Sequence, residues 1–108
     1  MTNKIELYKK AAELWGNSFE YLIAIEEMSE LTSVLLAQIR QGTSDTLTGL
    51  DIDAVEEIAD SIIMLEQLLV IAVSKDPELG CLYKDIKSQK LERLETRINE
   101  YLVSTSPK

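Results

Sequence analysis

The sequence predicts an all-α protein with a four-helix bundle-like architecture. Two observations lead there. Apolar residues recur at helical spacing along four long stretches divided by short breaker-rich segments, and the whole chain has only four Gly and two Pro, too few for the repeated tight turns of a sheet protein. At 108 residues the chain makes one domain with a single core. It is small enough that association would add substantially to burial, so a homo-oligomer, a dimer or tetramer, is expected.

The first helix is expected over residues 3–15, where Ile5, Tyr8, Ala12 and Trp15 recur at helical spacing and Asn3 is available as N-cap. Gly16, Asn17 and Ser18 end it. The second helix is expected over 18–40, carrying Leu22, Ile23, Ile25, Met28, Leu31, Val34, Leu35 and Ile39. Residues 41–49 collect loop formers and make the main connection, the expected lid or substrate-specific segment. The third helix runs from 50 or 51 to 74, with Asp51 and Asp53 at its positive dipole end and Lys75 closing the other. Asp76 and Pro77 read as N-cap and first helical residue of a fourth helix over 77–103. The tail, 104–108, is expected to fray.

The composition excludes several kinds of chemistry. A net charge of -8 argues against a broad interface with duplex nucleic acid or an anionic membrane. There is no His, and Cys81 is the sole cysteine, which removes disulfide frameworks, thiolate or imidazole zinc sites and His-based triads. Any metal here is a hard, oxygen-bound cation. The first residues contain no apolar signal core, and the apolar run over 58–73 is too short and interrupted to span a bilayer. A cytoplasmic location is the default expectation.

That apolar run is the stretch around which the rest is organised. It is aliphatic at almost every position, yet Asp60 sits inside it and Glu57 stands one turn before. A helix apolar all round is buried, and a buried carboxylate is destabilising unless it is neutralised or ligated. Glu27 and Glu30 repeat the same three-residue interval on the second helix, within a stripe formed by Ile23, Glu27, Glu30 and Val34. Residues three apart lie about 60° from each other around a helix axis. If the second and third helices pack antiparallel, Glu27, Glu30, Glu57 and Asp60 converge into a magnesium site. One Glu-x-x-Glu pair alone is most often a solvated face; two pairs among aliphatic residues on consecutive long helices are harder to explain that way. On the fourth helix, Lys90 and Arg97 fall on the side of Tyr83, Leu94 and Tyr101, toward the core. They either neutralise the carboxylates or contact substrate phosphate.

These residues carry a resemblance. Ala24-Ile25-Glu26-Glu27-Met28-Ser29-Glu30-Leu31, followed by Glu56-Glu57-Ile58-Ala59-Asp60-Ser61 and the aliphatic run beyond, resembles the signature of the all-α nucleoside triphosphate pyrophosphohydrolases, the MazG-like family, in its small phage and bacterial form. Lys90-Leu91-Glu92-Arg93-Leu94 is similar to the family's C-terminal lysine and arginine segment, and Trp15-Gly16 to its N-terminal helix end. Ser88 stands where many members carry asparagine.

The resemblance implies a MazG-type fold over nearly the whole chain. It also implies hydrolysis of a nucleoside triphosphate between the α- and β-phosphates, with nucleotide-pool house-cleaning as the corresponding role. Mg²⁺, with Mn²⁺ as a substitute, is the implied cofactor on Glu27, Glu30, Glu57 and Asp60. Lys90, Arg93 and Arg97 would stabilise phosphate charge. Glu26 is the candidate general base, although helix geometry alone equally describes an exposed acid, and Glu56 shares that ambiguity. Trp15 and Tyr8 offer aromatic faces to a nucleobase or to the core, while Met28, Met64 and Cys81 read as packing residues. The competing class is a non-catalytic helical interaction or regulatory protein. A ferritin-like di-iron centre is disfavoured because its Glu-x-x-His ligands are absent.

Overall fold

Short polar side chains start the helices close to where the sequence places them. The structure, a computed structural model, describes residues 3–40 and 50–105. Among these residues it holds four α-helices and no strand: α1 (Lys4–Trp15), α2 (Asn17–Arg40), α3 (Ile52–Lys75) and α4 (Glu78–Thr105). The segment expected to form a lid, 41–49, lies outside the described residues. Asn3 is extended and its side-chain oxygen accepts from the Glu6 amide at 2.9 Å, as an N-cap should. Asp51 caps α3 in the same way, accepting from the Ala54 amide at 3.0 Å and from Gln38 Nε2 at 2.7 Å. These bonds hold the Asp51 carboxyl below its usual range. α3 therefore begins one residue later than a start at Asp51 would give. Pro77 sits in the turn before α4, and Asp76 accepts from the Glu78 amide at 3.2 Å.

One glycine makes the α1–α2 corner. Gly16 has φ 83 and ψ 154 and donates to the Ala12 carbonyl at 2.8 Å, a backbone conformation essentially restricted to glycine. Nothing lies within 4 Å of where a β-carbon would stand, so strain alone acts there. Gly16→Ala is expected to lower stability by about 1–3 kcal/mol, read as a fall in the urea midpoint with unchanged helicity.

Of the tail expected to fray, 104–108, only the first two residues are described. Ser104 and Thr105 complete α4, their hydroxyls donating to the Tyr101 carbonyl at 2.9 and 2.8 Å. Residues 106–108 lie outside the described residues.

The chain divides into two compact units, Met1–Ala72 and Val73–Lys108. In the first, α2 and α3 run antiparallel. Gln38 bonds Asp51, the Ser61 hydroxyl reaches the Glu27 carbonyl at 3.5 Å, and Gln67 bonds Glu20. Partners on α3 thus rise in number as those on α2 fall. Ala24 (1% exposed), Ala54 (0%) and Ser61 (4%) are buried, and such small side chains let the two backbones approach closely. α1 joins the pair through Tyr8, which is buried and donates to Glu66 at 3.4 Å, and through the Lys4–Glu66 ion pair at 2.7 Å. Lys4 is thereby raised and Glu66 lowered from their ordinary pKa values, each chiefly by its bond to the other. Tyr8 is a core residue.

Burial of the apolar run is one-sided. Ile71 is buried, but Ile62, Ile63 and Leu65 are exposed, because the neighbouring helices cover only part of a helix that is apolar all round. Met28 and Cys81, read from sequence as packing residues, are exposed as well. In the second unit no residue of α4 is buried, and Lys87 lies over the Tyr83 ring at 5.9 Å. Among the described residues, no helix is long and apolar enough to cross a membrane.

Candidate metal centre

The α2–α3 seam tightens where Ser61, small and buried, meets the Glu27 carbonyl. That contact sets Glu27 opposite the turn carrying Glu57 and Asp60. One carboxylate oxygen from each of Glu27, Glu57 and Asp60 lies within 4.8 Å of the others. Glu27 and Glu57 are half-buried, and Asp60 is exposed, so the cluster opens to solvent on the Asp60 side.

Its electrostatics are unfavourable for three anions. Glu27 Oε2 and Glu57 Oε2 are buried without a hydrogen-bond partner. Burial, followed by the charges of Glu30, Glu27 and Asp60, pushes Glu57 up to about 6. Glu27 is raised too, by burial first and then by Glu30 and Asp60. Protonation of one of these carboxyls relieves the like-charge repulsion among them.

The cluster suits a hard cation. All its donors are oxygen, and Mg²⁺ takes oxygens at about 2.1 Å, which places adjacent ligand atoms roughly 3 Å apart. The carboxylate oxygens, within 4.8 Å of one another, would have to draw closer to reach that spacing, and Asp60 is exposed. Three carboxylates leave positions for water and phosphate oxygens. The orphaned oxygens of Glu27 and Glu57 are the groups such a cation would satisfy.

The other sequence-predicted residues separate clearly. Glu30 is exposed and outside the close group, but its charge acts on both Glu27 and Glu57. Glu26 and Glu56 are exposed. Trp15 is 60% exposed and stands against Phe19, ring centroids 6.2 Å apart and planes tilted by 44°, so it is not a core residue. Lys90, Arg93 and Arg97 are exposed on α4, in the second unit. Tyr83, Leu94 and Tyr101, on the same side of α4, are exposed too. An apolar stripe shows which side of a helix can be covered; it does not supply the cover.

Sequence reasoning passed over the buried polar residues Glu20, Gln38 and Gln67. A signal was available. Glu20 and Gln67 lie seven residues from Glu27 and Asp60 respectively, two turns away on the same faces.

Fold and site together define an all-α protein with a carboxylate cluster bridging two antiparallel helices. Comparison of the chain with protein-family models, curated proteins and solved structures finds no match.

Proposed function

We propose that this chain is a magnesium-dependent nucleoside triphosphate pyrophosphohydrolase, converting a ribo- or deoxyribonucleoside triphosphate and water to the monophosphate and pyrophosphate. The observation that carries this reading is the meeting of Glu27, Glu57 and Asp60, two of them with buried, partnerless oxygens, at the positions that the MazG-like resemblance makes metal ligands. Mg²⁺, or Mn²⁺ in its place, supplies charge neutralisation at the phosphates and an oriented water. Glu27, Glu57 and Asp60 would hold the cation, and Glu30 would add negative charge beside them. Glu26, exposed next to Glu27, takes the proton of the attacking water as the bond between the α- and β-phosphates breaks. Lys90, Arg93 and Arg97 are exposed cations suited to phosphate oxygens, and the exposed face of Trp15 suits a nucleobase.

The chain acts as a homo-oligomer, dimer or tetramer, in this reading. Support comes from the many exposed aliphatic residues, among them Leu22 and Ile62 in the first unit and Leu91 and Leu102 in the second, apolar side chains that association could take out of water. Its substrates place it in the cytoplasm, where nucleotide-pool house-cleaning is the fitting role. The test is a nucleotide panel with Mg²⁺ and product identification. Monophosphate plus pyrophosphate is expected; release of orthophosphate from the γ-position would contradict the assignment. The same apolar surface favours one other reading, a non-catalytic helical interaction protein, which predicts no turnover of any nucleotide by well-folded protein.

A further inference from the structure

Glu20 is the most deeply buried carboxylate of the described residues, 2% exposed, and the candidate metal centre does not use it. Its Oε2 accepts from Gln67 Nε2, while its Oε1 is buried without a partner. Among the described residues no cation is found paired with it, and Lys4 on α1 is engaged with Glu66. The surrounding titratable groups are accounted for. On α3, Glu66 beside Gln67 is bonded by Lys4 and Tyr8 of α1. On α2, the next carboxylate along the stripe is Glu27, two turns away. What faces Glu20 across the seam is a neutral carboxamide. An ionised carboxylate in that position keeps one bond and leaves a buried charge without a counter-ion. A protonated one can donate to Gln67 Oε1 while accepting from Gln67 Nε2, giving two bonds and no charge.

We propose that Glu20 and Gln67 form a buried acid–amide clasp between α2 and α3, closed by two hydrogen bonds while Glu20 carries a proton and loosened when Glu20 ionises. Its place on the seam, two turns from Glu27 and Asp60, makes it a register device, because a slip of α2 along α3 breaks the clasp and parts the carboxylate cluster together. The clasp is independent of nucleotide hydrolysis. Burial raises Glu20 above its ordinary value of 4.5 and outweighs the opposing bond from Gln67. For a raised carboxyl the sign is definite: its contribution to stability is complete below 4.5 and is lost as pH rises through the folded-state value.

The test compares urea unfolding of the wild type and Glu20→Gln, which is permanently neutral and keeps both bonds, across that range. Below pH 4.5 the two folding constants should agree within about twofold. By mildly alkaline pH the variant should be several-fold the more stable, because one pKa unit corresponds to about tenfold in the equilibrium constant. Other titrating groups are common to both proteins and cancel. A difference that does not change with pH, or that turns in favour of the wild type as pH rises, overturns the clasp. Carbon-13 NMR of the Glu20 side-chain carboxyl in wild-type protein gives a second reading that needs no variant. Titration above 4.5 is expected, and titration at or below 4.5 overturns the proposal.

Discussion

Glu57→Gln is expected to lower magnesium-dependent pyrophosphate release by about 10²-fold or more while making the metal-free protein more stable at neutral pH. Both effects come from the same oxygens. Glu57 Oε2 is buried without a donor, and the carboxyl is raised from 4.5 to about 6 by burial and then by Glu30, Glu27 and Asp60. A raised carboxyl contributes stability that is complete below 4.5 and is lost as pH climbs through about 6. The wild type without metal should therefore weaken over that interval, and Glu57→Gln, which has no such proton to lose, should weaken less. Adding Mg²⁺ above pH 6 should recover the wild type by mass action and leave the variant unchanged. Thermal unfolding at several pH values, with and without Mg²⁺, reads each step. Equal stabilisation of both proteins by the metal would place the cation elsewhere.

Ala24→Leu carries the second large effect. Ala24 is 1% exposed and lies between Glu20 and Glu27 on α2. A leucine there adds a branched side chain at a position already closed to solvent. Overpacking of this kind costs about 1–3 kcal/mol. It also pushes α2 away from α3, so cation binding at Glu27 and Asp60 should weaken together with the urea midpoint. Ser33→Leu, on the same helix at an exposed position, should change stability by no more than about 0.5 kcal/mol. Full retention of the midpoint in Ala24→Leu would show that the seam is looser than its buried small residues indicate.

The parts of the fold that were legible in the sequence are those governed by local chemistry. Asn3 caps α1 because a short side-chain oxygen before a helical run meets orphaned amides, and Asp51, read from sequence as a first-turn acid, caps α3 for the same reason. Gly16 turns the chain because only glycine tolerates its dihedral angles. Of the four carboxylates on the two intervals, Glu27, Glu57 and Asp60 come together while Glu30 stays outside the close group. What could not be read locally was the environment. Asp60 was expected inside an apolar helix and is exposed, and Lys90 and Arg97 are exposed on α4. Periodicity marks the side that gains from burial and is silent about the neighbour. Glu20 and Gln67 were missed for the opposite reason, because polar residues on a helix are assigned to solvent by default and only their seven-residue distance from Glu27 and Asp60 hinted otherwise.

The central claim is that Glu27, Glu57 and Asp60 bind one divalent cation. Electron paramagnetic resonance of Mn²⁺, which shares the oxygen preference of Mg²⁺, tests it without reference to any substrate. Titrated with wild-type protein at neutral pH, the free-ion signal should fall with one ion bound per chain, and with Glu27→Gln or Glu57→Gln it should persist. A signal that the wild type leaves unchanged, or that both variants quench equally well, would contradict the metal centre.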